Sequence, residues 1–223
     1  MAGAAATLGR DHAVLRRNRQ DAAAAEAIGE AAFGVVSDGC GEGSASEVGA
    51  LLTVALARAA LARGLACDLE LEAIAELAAG EVELGLAGVA RSIPETERAA
   101  FVREHLLATL VGFVARGSDA VLFAAGDGLW LANDSARVLE QDNRPLYPAY
   151  ALIGTRVPLA IEHVHRAERL AVSTDGLEPA ALRGIGQCDS AALGRRLVLL
   201  QRRGGLSDDG AIAIATRGAS CAS

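Results

Sequence analysis

Residues 31–44, AAFGVVSDGCGEGS, place a short apolar run directly before an acidic, glycine-rich loop. The run Ala31–Ser37 predicts a buried strand, and Asp38 stands where that strand gives way to the loop. Beyond the loop, Val48–Arg63 is nearly all apolar with helical spacing, which predicts a buried helix. Ser44 lies three residues before a glutamate, a spacing that predicts a capping box at the start of this helix.

The rest of the chain predicts two more helices and then a series of short strands. Leu69–Leu86 alternates glutamate with apolar residues, and Glu95–Ala115 starts just after a proline, so both predict helices. The predicted strands are Ala120–Ala125, Leu129–Ala132, Arg137–Glu140, Val157–Val164, Arg169–Ser173 and Ala211–Thr216. Ser190–Arg202 predicts a last helix. Because helices and strands do not alternate regularly, we expect an α+β fold with antiparallel sheets, not a doubly wound parallel sheet.

Composition limits the class of protein. The 223 residues are 52 % hydrophobic and 22 % charged, which predicts a single globular domain over residues 1–223. Aromatic residues make up only 3 %, so the core must be built from small side chains. The net charge of −7 argues against a nucleic-acid partner. No apolar run reaches the roughly 18 residues of a membrane span and no secretory signal is evident, so we expect no membrane partner and a cytoplasmic location.

The cysteines are scattered and predict neither a disulfide framework nor a zinc site. They are Cys40, Cys67, Cys188 and Cys221. Asn143–Pro148 is interpreted as a surface loop, with a flap over a substrate site as the alternative.

Aspartates stand at the predicted strand ends. Asp38 and Asp175 each follow an apolar strand and precede a glycine, whereas Asp208 and Asp209 stand just before an apolar strand. Asp127 lies in a Gly-Asp-Gly sequence after another strand. Carboxylates that converge at a sheet edge repel one another unless a cation neutralises them, and Mg²⁺ and Mn²⁺ prefer such oxygen ligands. Taken singly, each Asp-Gly pair is also ordinary turn chemistry.

Four motifs in a fixed order carry a resemblance to a known family. They are RRNRQD at 16–21, VVSDG at 35–39, VSTDG at 172–176 and the pair Asp208-Asp209. Together they resemble the metal-dependent serine/threonine phosphatases of the protein phosphatase 2C family, most of all its compact bacterial branch. The resemblance spans about residues 10–216. It implies a four-layer αββα sandwich, in which two antiparallel sheets are flanked by helices.

The resemblance also implies a metal centre with two Mn²⁺ or Mg²⁺ ions. Asp38 would bridge the two ions, and Gly39 would offer its carbonyl oxygen to one of them. Asp175 and Asp208 would complete the shell of the other ion. Gln20 stands where many members of the family have a metal-binding glutamate, and its neutral amide is a weaker ligand.

Three further roles follow from the same resemblance. Asp127 occupies the place of an acid that can serve a third ion. Asp21 would orient metal-bound water, and Arg16 would hold the substrate phosphate, since a guanidinium fork matches two phosphate oxygens. The residues expected to act in catalysis are therefore Arg16, Asp21 and Asp38.

The implied function is hydrolysis of phosphoserine or phosphothreonine in proteins by a metal-activated water, within a signalling pathway. The implied partner is a phosphorylated protein, either a serine/threonine kinase or the target of one. One alternative is a pseudophosphatase that binds phosphoproteins or metal without turnover, because Gln20 is uncharged and the loop lacks the family's histidine. Another is a methyltransferase that binds S-adenosylmethionine on the glycine-rich loop, although the acid expected there is replaced by Ser37.

Overall fold

Two five-stranded antiparallel sheets face each other at the centre of the fold. The computed structural model describes residues 1–142, 144–185 and 188–217. The strands are β1 Ala2–Thr7, β2 Ala22–Ile28, β3 Ala31–Ser37, β4 Leu110–Arg116, β5 Asp119–Ala125, β6 Gly128–Ala132, β7 Ser135–Leu139, β8 Ala160–His165, β9 Arg169–Ser173 and β10 Gly210–Thr216. One sheet has the order β1-β10-β9-β6-β7 and the other has the order β2-β3-β4-β5-β8.

Helices cover the outer face of each sheet. They are α1 Arg10–Leu15, α2 Glu47–Ala66, α3 Leu71–Arg91, α4 Glu95–Phe101, α5 Pro179–Arg183 and α6 Ser190–Arg202, with a π-helical turn at Val102–Leu106 and a 3₁₀ turn at Pro148–Ile153. The pair α2 and α3 packs on the sheet that contains β3, and α5 and α6 pack on the sheet that contains β10. This is the predicted α+β sandwich of four layers.

Small side chains let the two sheets approach closely. The layer between them is rich in alanine, with Phe113, Leu122, Trp130 and Leu170 among its large members. Gly34 lies in this layer, where an added Cβ would come within 2.6 Å of Phe113 Cζ and 2.9 Å of Ala213 Cβ. A core with 3 % aromatic residues can therefore be dense because its two sheets are close together.

One predicted helix is wrong in its second half. The helix expected over Glu95–Ala115 is α-helical as far as Phe101 and continues as the π-helical turn Val102–Leu106, after which the chain forms β4 at the centre of its sheet. The run Leu110–Val114 contains β-branched and aromatic residues that favour a buried strand. Gly112 lets this strand pack closely against its neighbour, because a Cβ there would lie 2.9 Å from Phe123 Cε1 on β5.

Two alanine-rich segments are strands that the sequence analysis did not predict. Strand β1 pairs with β10 and strand β2 pairs with β3, both antiparallel. Alanine has a high helix propensity, so local preference disfavours this outcome. Pairing with a neighbouring strand overrides that preference, and the small methyl groups fit the narrow space between the sheets.

The start of α2 differs from the predicted capping box. The helix begins at Glu47, and Ser46 precedes it without a side-chain capping bond. The Glu47 carboxylate accepts a hydrogen bond from Asn18 Nδ2 at 2.7 Å, and the Ser44 N–H donates to Glu104 Oε2 at 3.0 Å. The Glu47 carboxylate and the Ser44 N–H, which would pair in a capping box, therefore bind residues of distant segments.

Among the described residues, one helix is long and apolar enough to cross a membrane by length and composition alone. It is α2, with a mean hydropathy of 1.5 over its most apolar window. No stretch of this kind was predicted from the sequence. Half of this window is buried inside the protein, and a core helix of a folded domain meets the same criterion.

Candidate metal centre

A cavity of about 190 Å³ opens where the strand ends of both sheets meet. It is lined by Gln20, Asp38, Gly39, Gly41, Asp127, Pro145, Tyr147, Asp175 and Asp208. All six residues expected to be metal ligands are therefore brought together, although they come from segments far apart in the chain. The described wall contains four carboxylates and no arginine or histidine.

Strand register explains why these acids meet. In the β2–β3 pair Ala22 is opposite Ser37, so Asp21 and Asp38 follow next to each other at the strand ends. In the β6–β9 pair Leu129 is opposite Ser173, and the same register continued by two residues brings Asp127 towards Asp175.

The loop at Asp38 is held by backbone contacts. Its N–H donates to Thr109 Oγ1 at 2.9 Å, and its carbonyl accepts from the Thr109 N–H at 2.8 Å. The next residue has to be glycine, because a Cβ at Gly39 would lie 2.8 Å from Ser46 Oγ and 2.9 Å from the Gln20 carbonyl oxygen. A carbonyl at this position can approach a ligand in the cavity closely.

Asp21 is buried behind Asp38. Its Oδ2 accepts a hydrogen bond from Thr174 Oγ1 at 2.6 Å, and that hydroxyl accepts from the Ala211 N–H at 2.9 Å. Burial raises the pKa of Asp21 to about 7, and the nearby Asp209 and Asp175 charges add to this shift. The structure therefore links Asp21 to strands of both sheets.

The pKa values of the other carboxyl groups in the site are also raised, which favours their neutral forms. Burial raises the pKa of Asp38 well above its usual range, and the charges of Asp21 and Asp175 raise it further. Burial and the Asp175 charge raise the pKa of Asp127 to about 6. The pKa of Asp175 is raised by burial and by Asp208. The described wall of the cavity offers these groups no cationic side chain, and a divalent cation would supply the counter-charge.

Gln20 adds a free acceptor to this cavity. Its Oε1 is buried and has no hydrogen-bond partner in the part of the chain that the structure describes. Its Nε2 makes a long contact of 3.4 Å with the Gly43 carbonyl. An unpartnered amide oxygen beside four carboxylates forms an all-oxygen donor set that fits Mg²⁺ or Mn²⁺.

The stability of the metal-free protein is expected to fall as pH rises from about 4 to about 7. The folded-state pKa values of Asp21 and Asp127, about 7 and about 6, exceed the ordinary value of 3.8, so the folded protein binds more protons than the unfolded chain in this range. The resulting stabilisation is fully present when the pH is below the ordinary pKa of 3.8. It is lost as the pH rises through the folded-state pKa values of about 6 and about 7. Urea unfolding in a chelator buffer at several pH values measures it.

Saturating Mn²⁺ is expected to remove this pH trend, because a bound cation favours the ionised carboxylates. A metal-free protein that becomes more stable over the same rise in pH would contradict the clustering of these acids.

Arg16 lies beside the metal cavity and outside its wall. It follows α1 with a left-handed backbone, φ 55°, and lines a second cavity of about 240 Å³. The two cavities share Gln20. In the second cavity Arg17 Nη1 donates to the Gly41 carbonyl at 3.1 Å, so this wall is tied to the acidic loop. The phosphate-binding role of Arg16 stays a prediction.

Two residues that the sequence analysis assigned no role complete the surroundings of Asp208. Asp209 is buried and accepts hydrogen bonds from the N–H groups of Gly9 at 2.7 Å and Gln20 at 2.6 Å. His12 is buried against the same carboxylate. The doubled acid before β10 was visible in the sequence, but nothing near His12 in the chain indicated its partner.

The loop before the 3₁₀ turn forms part of the cavity wall. Asn143 lies outside the described residues, but Pro145 and Tyr147 line the cavity and Tyr147 is buried. Burial, together with the nearby Cys40 thiol, raises the pKa of the Tyr147 hydroxyl. The interpretation of Asn143–Pro148 as a plain surface loop is therefore wrong for these two residues.

Comparison with known proteins agrees with this geometry. The family model described as protein phosphatase 2C matches residues 8–193. A search of curated protein sequences finds no match. Among solved structures, Stp1 from Staphylococcus aureus, a serine/threonine phosphatase, is similar at 15 % identity with a TM-score of 0.67, covering 98 % of this chain and 95 % of its own.

Two other solved structures share the fold. PppA of Pseudomonas aeruginosa, described as a key regulatory component of T6SS, is 22 % identical with a TM-score of 0.63 and 97 % coverage of each chain. The catalytic domain of the serine threonine protein phosphatase PstP, solved with two manganese ions, is 17 % identical with a TM-score of 0.61 and 97 % coverage of each chain. At these identities the likeness shows a common fold.

Proposed function

The chain belongs to the protein phosphatase 2C family, whose members are metal-dependent serine/threonine protein phosphatases, and we propose that its reaction centre is the acidic cavity around Asp38. One observation carries this proposal. Oxygen-donor residues at the ends of strands from both sheets meet in a single cavity of about 190 Å³, and several of their carboxyl groups have raised pKa values.

The cofactor is Mn²⁺ or Mg²⁺, and the residues present fit it. Asp38, the Gly39 carbonyl, Asp175, Asp208 and Gln20 would hold the ions of a two-metal centre. Asp127 lies in the same wall and would hold a third ion. When bound, the ions activate water as a nucleophile and neutralise the oxygens of the phosphoryl group.

The protein's own groups position the reactants. Asp38 lies in the cavity wall near the charges of Asp175 and Asp127, and the buried Asp21 lies close to it outside the wall. Thr174 holds Asp21 through a 2.6 Å hydrogen bond, and we assign Asp21 the role of orienting the attacking water. Arg16, in the adjoining cavity, binds two phosphate oxygens with its guanidinium fork.

The substrate is a phosphorylated protein, as the family implies. We place the enzyme in the cytoplasm and assign it a serine/threonine kinase, or the target of such a kinase, as its partner. The net charge of −7 disfavours a polyanionic partner such as nucleic acid.

The purified protein is expected to release inorganic phosphate from a phosphothreonine peptide when Mn²⁺ or Mg²⁺ is present. Chelation should abolish the release, and metal added back should restore it, because the described residues of the cavity wall include no cationic side chain that could replace the ions. A phosphate assay over a metal titration measures both effects.

Two results would contradict the phosphatase function. Retained phosphopeptide binding without turnover at every metal concentration would indicate a pseudophosphatase. Calorimetric binding of S-adenosylmethionine would indicate a methyltransferase.

A further inference from the structure

Helix α1 contributes a single buried side chain to the fold, and that side chain is a histidine. His12 is 8 % exposed, whereas the other five residues of Arg10–Leu15 are all exposed. The helix is anchored to the loop before β10, since the Arg10 N–H donates to the Leu206 carbonyl at 3.2 Å and the Asp11 N–H donates to the Ser207 carbonyl at 2.9 Å. Helix α1 therefore places an imidazole in the protein interior.

This imidazole faces two successive acids. Nδ1 lies 3.0 Å from Asp209 Oδ2, and Nε2 lies 3.8 Å from Asp208 Oδ1. Nδ1 is buried and makes no well-aligned hydrogen bond to any described residue. The 3.0 Å contact therefore places the imidazole directly against the Asp209 carboxylate without a well-aligned hydrogen bond.

Asp209 connects this pairing to the wall of the metal cavity. Its Oδ2, the oxygen nearest to His12, also accepts the Gln20 N–H at 2.6 Å. The N–H of Asp209 donates to Asp208 Oδ1 at 2.8 Å. Gln20 and Asp208 both line the cavity, so Asp209 contacts two of its lining residues, Gln20 through its carboxylate and Asp208 through its backbone N–H.

We propose that His12 is a positioning residue for the metal centre: by pairing with Asp209, it keeps Gln20 and Asp208 in place. This inference rests on the proposed function, because it assumes that these two residues face metal ions. The physical reason is the cost of a buried carboxylate. Without His12, Asp209 stays buried beside a second acid with two backbone N–H partners among the described residues, those of Gly9 and Gln20, and the loop relaxes away from this arrangement.

The test compares Mn²⁺ affinity by calorimetry in the full-length wild-type protein and in variants. His12→Leu fills the space without a polar atom and should weaken Mn²⁺ binding by about 10–100-fold, the range for residues that orient metal ligands. His12→Asn places an amide nitrogen near the position of Nδ1 and should bind Mn²⁺ as wild type does. In the double variant with Asp209→Asn, the loss should equal that of Asp209→Asn alone.

His163→Leu is the matched control, because His163 Nε2 also lies 3.0 Å from a carboxylate, that of Glu72, but at the exposed surface. It should leave Mn²⁺ affinity unchanged. A His12→Leu protein with a lowered Tm and wild-type affinity would show a merely structural role and overturn the inference. His12→Asn binding as weakly as His12→Leu, or with one ion fewer, would overturn it as well.

The outcome is separable from that of the proposed function. A wild-type protein that binds Mn²⁺ without phosphatase turnover would overturn the function, while calorimetry would still decide the role of His12. A wild-type protein that binds no Mn²⁺ would overturn both.

Discussion

Replacing Asp38 by Asn is expected to lower kcat by about 10³-fold or more, comparable with the loss of a key electrostatic group at a reaction centre. Asp38 lies in the cavity with three other carboxylates and next to the buried Asp21. The amide has nearly the same shape but removes the negative charge on which two cations would depend. Steady-state hydrolysis of a phosphothreonine peptide at saturating Mn²⁺ measures the loss.

The stability of the same variant provides a second readout. Because burial and neighbouring charges raise the pKa of Asp38, its neutral form is favoured in the metal-free fold. Asp38→Asn should therefore raise the Tm of the metal-free protein while it removes activity. Such a variant separates loss of function from loss of fold.

Asp68→Asn is the matched control for this substitution. Asp68 has a left-handed backbone, φ 53°, which asparagine adopts readily, and its exposed carboxylate pairs with Arg116. A surface pair of this kind contributes little, so activity and Tm should match wild type. An Asp38→Asn enzyme with wild-type kcat would place the reaction centre elsewhere.

Replacing Gln20 by Glu is expected to lower the half-saturating Mn²⁺ concentration by about 10–100-fold, since affinity for hard cations rises with ligand charge. The Gln20 side chain already lies in the cavity wall, and its Oε1 has no partner among the described residues. A carboxylate would place a charged oxygen at that position. Activation curves and calorimetry with Mn²⁺ measure the shift.

The higher Mn²⁺ affinity of this variant should be accompanied by a lower stability in the absence of metal. A fifth carboxylate in the same wall adds repulsion, so the metal-free Gln20→Glu protein should unfold at a lower Tm than wild type. Gln201→Glu, on α6 away from the cavity, is the control and should leave Mn²⁺ activation unchanged. If Gln20→Glu left both Mn²⁺ affinity and metal-free Tm unchanged, Gln20 would not face the ions.

Much of the site could be predicted because its residues carry local signals. Asp38, Asp127 and Asp175 each stand beside a glycine at the end of an apolar strand, and that pattern is visible in a few successive residues. The order of the motifs then indicated the family. The loop with Pro145 and Tyr147 lacked such a signal, because its place in the cavity wall depends on how it packs against the Asp38 loop.

Helix and strand predictions succeeded where local pattern and tertiary environment agree. Ala31–Ser37 and Ser190–Arg202 have the predicted bounds, since the first is a continuous apolar run in a buried strand and the second buries Leu193 and Leu197 at helical spacing. Glu95–Ala115 failed because apolar residues in a central strand and in a buried helix can share one composition. Only the pairing of β4 with β3 and β5 distinguishes the two.

The antiparallel α+β class, the acids at the strand ends and the family can all be recognised in the sequence, since periodicity and short motifs are properties of neighbouring residues. The tertiary structure alone decided that the alanine-rich β1 and β2 are strands and that His12 meets Asp209. Their partners lie elsewhere in the chain, and local propensity carries no information about which distant backbone or carboxylate will be near once both sheets have packed.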